Sequence, residues 1–186
     1  VAMALAVLLG FGLCLGKLYG KSFIKIFCFG FIEIIRGTPL LIQLYLLYYG
    51  LPNLGIQLNA FVAAILGMGI NYAAYEAEIY RAGLLAIPKG QFEAAKSLGL
   101  THAQTLRHVI VPQAIKIILP PSTNDFIALF KDTSLVSIIT VFELTRAYNL
   151  SATTTYRFLE LGLLTALLYF LMSFPLSLWS RKMEKQ

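Results

Sequence analysis

The sequence predicts an all-α integral membrane protein, a bundle of about five transmembrane helices carrying a cytoplasmic helix-turn-helix loop. Three observations predict it. First, 58% of the 186 residues are hydrophobic and 13% are charged, with mean hydropathy +0.75. A soluble domain is about half apolar, so this chain has more apolar surface than one core can hide. Second, several stretches of about 20 residues are nearly free of charge, the length an α-helix needs to cross a bilayer. Third, lysine and arginine crowd into alternate connections, as the positive-inside rule requires of a multi-pass chain.

The first apolar run, Val1–Gly16, would be about 24 Å long as helix, short of a full span. It begins at Val1 rather than Met, so the chain reads as truncated at its N-terminus. No basic leader or cleavage signal marks the run as a signal peptide. Gly12, Gly16 and Gly20 form a GxxxGxxxG ladder. That spacing serves close helix packing, although glycine is common in membrane helices generally. Cys14 and Cys28 lack metal or redox spacing and read as packing residues.

The second run is Phe23–Tyr49. Glu33 and Arg36 lie three apart and can pair on one face. Charges inside a span are functional candidates because each is costly there, yet such charges also pair as structural glue. Gly37 and Pro39 should disturb this helix and free backbone groups near mid-membrane. Gln43 lies on the same face as Arg36. The third run is Ala60–Tyr80. Asn71, Tyr72, Tyr75, Glu76, Glu78 and Arg81 cluster toward its end, with Glu78 and Arg81 spaced to pair, and read as a gate region.

A polar segment follows, residues 86–112. Gln91–Leu98 reads as a short helix closed by Gly99 at the first position beyond its end. Thr101 and Gln104 have the spacing of a capping box that opens a second helix. Leu106, Val109 and Ile110 give that helix an apolar stripe, and Pro112 should kink or end it. Such a pair could lie on lipid headgroups or dock a cytoplasmic protein. Ala94 and Ala95 favour docking, since small side chains admit a close partner.

The fourth run, Ile115–Val141, is interrupted in sequence by Pro120 and Pro121 and then carries many polar groups. Asp125 and Asp132 are seven apart and share a face, with Asn124 and Lys131 on the next stripe. Substrate-path candidates are therefore Glu33, Arg36, Gln43, Asn124, Asp125, Lys131 and Asp132. An amino acid would need an acceptor for its ammonium, which Asp125 or Asp132 could supply, and donors for its carboxylate, which Arg36, Lys131 or freed amides could supply. Lys131 and Asp132 could equally be anchors at the membrane edge. The fifth run, Phe158–Trp179, reads as scaffold.

Lys17 and Lys21 lie between the first two runs, and Lys25 at the start of the second. Arg81, Lys89, Lys96, Arg107 and Lys116 surround the central loop, and Arg181, Lys182 and Lys185 close the chain. These belong in the cytoplasm, which puts the N-terminus outside and the C-terminus inside. The net charge of +6 is then a topology signal rather than a nucleic-acid patch. Gly16 to Ser22 resembles a phosphate-binding loop but is one residue short and has no strand–loop–helix setting. Asn149–Ser151 matches a glycosylation sequon by chance spacing. His102 and His108 do not share a helix face, and no metal cluster or nucleophile–base pair is evident. A membrane-embedded enzyme is therefore disfavoured. An ion-coupled secondary transporter, the alternative, should show an inverted repeat, and no internal symmetry is evident.

Glu93-Ala94-Ala95, then Gly99, then Val109-Ile110-Val111-Pro112 resembles the EAA loop of binding-protein-dependent ABC transporter permeases, with V-I-V-P where that family has I-x-L-P. Arg36-Gly37-Thr38-Pro39-Leu40-Leu41, Ile87-Pro88-Lys89-Gly90-Gln91 and Lys131-Asp132-Thr133-Ser134-Leu135 resemble its polar-amino-acid branch. The likeness runs from about residue 20 onward. It implies one transmembrane permease domain over residues 1–186, with residues 86–112 as the cytoplasmic coupling loop. It implies two ABC ATPase subunits that hold ATP and Mg, a second permease subunit (the same or homologous), and an extracytoplasmic substrate-binding protein. The setting implied is a bacterial or archaeal inner membrane, with no cofactor on this chain. Glu93, Ala94, Ala95, Lys96, Gly99 and Pro112 would then couple it to the ATPase.

Overall fold

The structure, a computed structural model, describes residues 1–184 and is helical throughout, with no strand among the described residues. Helix α1 spans Ala2–Tyr19 and α2 spans Ser22–Arg36. Helix α3, Leu40–Tyr45, runs on through a π turn at Leu46–Gly50 and a 3-10 turn at Leu51–Leu54. Helix α4 covers Ala60–Leu85 and opens on Asn59, whose side chain accepts from the Val62 amide at 2.8 Å. The short α5, Lys89–Ser97, and α6, His102–Thr105, form the polar loop. Helix α7 covers Val111–Asp132, a 3-10 turn follows at Thr133–Ile139, and α8, Leu144–Thr155, leads to α9, Phe158–Glu184.

Helices α1, α4 and α9 are each long and apolar enough to cross a membrane, and α2 with α3 makes a fourth if the bent pair is one span. Helix α7 falls short on apolarity because it carries Lys116, Asp125, Lys131 and Asp132. Of the membrane-crossing stretch of α4, 61% is buried, against 17% for α1 and 6% for α9. Helix α4 is therefore the axis of the bundle, and α9 turns its apolar surface outward. Leu44, Ala63, Ala64, Met68, Tyr72, Leu129, Val136 and Ile139 form the main core. A second cluster joins Cys14, Ile32, Ala74 and Ala77. Cys28 packs beside Gly16, and both cysteines are buried and free, as packing residues should be.

The predicted second span is not one helix. It turns by 102° at Gly37–Pro39, because Pro39 cannot continue the α2 hydrogen-bond ladder. The carbonyls this frees are taken by side chains. Thr38 donates its hydroxyl to the Ile34 carbonyl at 2.9 Å, and Gln43 Nε2 donates to the Ile35 carbonyl at 2.8 Å. Helix α7 corrects the reading of Pro120 and Pro121 in the other direction, since both lie inside a continuous helix. Pro112 does not end its helix either. A π turn over Leu106–Ile110 absorbs the irregularity directly ahead of it, and the run from His102 to Asp132 is helical throughout.

Of the glycine ladder, Gly16 packs against Ile24 and Cys28, and Gly20 against Ile24, at the start of α2, whereas a Cβ on Gly12 would meet nothing within 4 Å. The approach of α1 to α4 is at Gly10, where a Cβ would stand 2.8 Å from Glu76 Cβ and 2.9 Å from the Ala73 carbonyl. Gly10→Ala should thus force α1 off α4 and cost about 1–3 kcal/mol, as overpacking does. Gly12→Ala should be neutral. Thermal midpoints of the detergent-purified variants check this, at roughly 2–4 °C per kcal/mol.

Candidate functional site

The polar loop is fixed by local chemistry. Helix α5 ends in a paired turn, with the Leu100 amide donating to the Ala95 carbonyl at 3.1 Å and the Gly99 amide to the Lys96 carbonyl at 3.0 Å. Gly99 has φ +76°, a left-handed conformation that costs other L-residues strain. Two residues later the Thr101–Gln104 capping box is formed in both directions. Ala95 is buried, and Phe92 of the same helix packs against the cluster of Ile87, Ile110 and Ala114, which seats α5 on the helix that leads into α7. Glu93, Ala94 and Lys96 face outward, and so does Pro112. Ala94 and Ala95 therefore differ in role, one presenting a small outer face and the other anchoring the element. Leu98, which sequence reasoning passed over, is 80% exposed at the tip.

The other end of the same helix enters a chamber of about 480 Å³ lined by Arg36, Thr38, Pro39, Asn71, Tyr72, Tyr75, Asp125 and Asp132, among others. That is within the ordinary range for small-molecule sites. Asp132 accepts from the Tyr72 hydroxyl at 2.8 Å, which ties α7 to α4. One oxygen of Asp125, Oδ2, is buried without a hydrogen-bond partner. The break between α2 and α3 delivers Arg36 to the rim. Its guanidinium stands 5.3 Å from the centre of the Tyr75 ring, a cation–π distance, and the expected pair with Glu33 is not formed. Glu33 is exposed on α2, away from this lining.

The remaining candidates are placed elsewhere. Gln43 staples the break, donating also to the Thr38 hydroxyl at 2.8 Å and accepting from Asn71 Nδ2 at 3.2 Å. Asn124 turns to α9, where Ser180 donates to its Oδ1 at 2.8 Å. Lys131 is exposed and outside the lining. The chamber thus gathers Arg36, Asp125 and Asp132 with Asn71, Tyr72 and Tyr75 from the predicted gate region. It presents a guanidinium and two carboxyl groups across from aromatic and amide side chains, a complement for a small molecule with both an ammonium and a carboxylate. Glu78 holds Arg81 at 2.9 Å as its spacing predicted, and also Lys17 at 2.6 Å from α1. No group of three or more histidine, cysteine, aspartate or glutamate side chains arranged for a metal occurs among the described residues.

Comparison with known proteins matches residues 6–185 to the model of the binding-protein-dependent transport system inner membrane component. The L-cystine transport system permease protein TcyB of Bacillus subtilis (strain 168) is 41% identical over 157 residues, covering 84% of this chain and 67% of that one. The arginine transport system permease protein ArtQ of the same organism is 36% identical over 188 residues, covering 100% of this chain and 85% of that one. A crystal structure of an amino acid ABC transporter with histidines superposes with TM-score 0.92 at 43% identity, over 99% of this chain and 86% of its own.

Proposed function

The chain belongs to the family of inner membrane components of binding-protein-dependent transport systems, and on that premise we propose that it is the translocating subunit of an ABC importer for a polar amino acid. The observation that carries the reading is the unbroken helical run from the Thr101 cap to Asp132. At 1.5 Å per residue it is roughly 45 Å long. It has the rigid polar turn at one end and the charged chamber at the other. A displacement imposed on α5 by a partner would move Asp125 and Asp132 relative to Arg36 and Tyr72, which belong to other helices. That is a direct way to alternate the access and affinity of a site between two packed states.

In this reading Glu93, Ala94, Lys96, Gly99 and the exposed Leu98 meet an ATPase subunit. Ala95 seats the element and Pro112 marks where it leaves for the membrane. The partners are two ATPase subunits, which bring ATP and Mg, a second permease subunit and an extracytoplasmic substrate-binding protein. The chain itself makes and breaks no covalent bond. Asp125 and Asp132 accept the ammonium of the amino acid, and Arg36 donates to its carboxylate. The loop of residues 86–112 faces the cytoplasm, with the N-terminus outside and the C-terminus inside.

The test is co-expression with candidate ATPase subunits, followed by reconstitution and uptake of a panel of radiolabelled amino acids. Co-purification of an ATPase and ATP-dependent uptake of a polar amino acid are expected. Uptake by this chain alone, driven by an ion gradient, would overturn the reading.

A further inference from the structure

A second cavity, about 370 Å³, is lined by Arg36, Tyr75, Glu78, Ile79, Arg81, Ala82 and Asp125. It shares Arg36, Tyr75 and Asp125 with the first chamber. Its other residues lie one to two turns further along α4, toward Leu85 and the polar loop. We propose that this cavity is a second station for the transported amino acid, in which Arg81 receives the carboxylate that Arg36 releases. The inference rests on the function proposed above and adds a site to it.

Three features support a station rather than a structural ion pair. The first is charge balance. The lining holds two basic and two acidic side chains, Arg36 and Arg81 against Glu78 and Asp125, which suits a zwitterion. The second is the geometry of Arg81. Its Nε and Nη2 both donate to Glu78 Oε2, at 3.0 and 2.9 Å, and its Nη1 has no partner among the described residues. Glu78 therefore aims the guanidinium while leaving donors for an incoming carboxylate. Lys17 holds the other oxygen, Oε1, so Glu78 stays anchored if Arg81 is drawn toward a ligand. The third is the threshold. Arg36 has no carboxylate partner among the described residues and rests on the Tyr75 ring, which lines both cavities, so its guanidinium can serve either.

The discriminating variant is Arg81→Lys in the reconstituted transporter, tested with radiolabelled L-arginine and L-glutamine. Lysine keeps a cation beside Glu78 but loses the planar fork and its spare donors. Whichever amino acid the wild type carries, its affinity for the resting complex should stay within about twofold, while uptake turnover falls about tenfold, the loss of one charge-assisted hydrogen bond. Lys17→Met removes the other cation from Glu78 without changing a lining residue of either cavity, and should cost less turnover than Arg81→Lys. Turnover of R81K equal to wild type overturns the station, as does an equal loss in R81K and K17M, which would reduce the ion group to a brace. Failure of the wild-type complex to bind or import any polar amino acid of the panel above sinks the parent reading, and the station with it.

Discussion

Gly99→Val is expected to abolish substrate-stimulated ATP hydrolysis in the assembled transporter while membrane insertion and expression stay normal. The argument is conformational. Gly99 sits at φ +76°, and a Cβ added there would meet nothing within 4 Å. No clash contributes, so the cost is that of the left-handed backbone, roughly 1–2 kcal/mol for an ordinary L-residue and more for a β-branched one. The chain can escape that cost only by leaving α5 in another direction. The Leu100–Ala95 and Gly99–Lys96 bonds would then be lost, and the exposed face of α5 would no longer be held in register with the Thr101 cap. The membrane core lies on other helices and keeps its packing. The ratio of stimulated to basal ATPase activity should fall by about tenfold or more, which a shift of that size in the coupled state allows. Gly99→Asn should retain most coupling, because asparagine tolerates the left-handed region. Wild-type transport by G99V would remove the turn from the mechanism.

The same turn shows what a sequence discloses readily. Gly99, Thr101 and Gln104 act on backbone groups within a few residues of themselves, so their spacing alone announces the geometry. The apolar runs are equally legible, because a helix facing lipid must be predominantly apolar over about 20 residues. Partners distant in sequence are another matter. Spacing pairs Arg36 with Glu33 because only near neighbours can be read along a chain, whereas in the structure its guanidinium stands over Tyr75 of α4. Lys17 and Glu78, 61 residues apart, meet only because α1 lies along α4. The glycine ladder shows which glycines share a face but not which face meets α4, and Gly10 lies outside its spacing. Helix α8 was hidden because its residues are largely polar and rich in threonine, a weak helix former. It is held by Glu143, which accepts the Thr145 and Arg146 amides at 2.7 and 2.6 Å and the Tyr169 hydroxyl of α9 at 2.9 Å. Of the substrate-path candidates, period-3.6 spacing groups Asp125 with Asp132, and both line the same chamber. It could not tell that the stripe of Asn124 faces α9.

Asp125→Asn is expected to separate stability from transport. The substitution keeps shape and removes charge. In the resting protein Asp125 Oδ2 is buried with no hydrogen-bond partner, an arrangement that costs free energy in a low-dielectric setting. Relieving it should leave the thermal midpoint of the purified complex unchanged or raised by a few degrees. Substrate affinity should move the other way, because the ammonium loses a charged acceptor. A hydrogen bond to a charged group is worth about 1.5–3 kcal/mol, so affinity should fall about ten- to hundredfold. Opposite signs in the two measurements are the mark of a group retained for binding at the expense of stability. Asn124→Ala supplies the contrast one residue away. It removes the acceptor of Ser180 and should lower the thermal midpoint while leaving affinity untouched. Equilibrium binding and thermal unfolding on the same preparations decide the matter, and wild-type affinity in D125N would move the ammonium site to Asp132 alone.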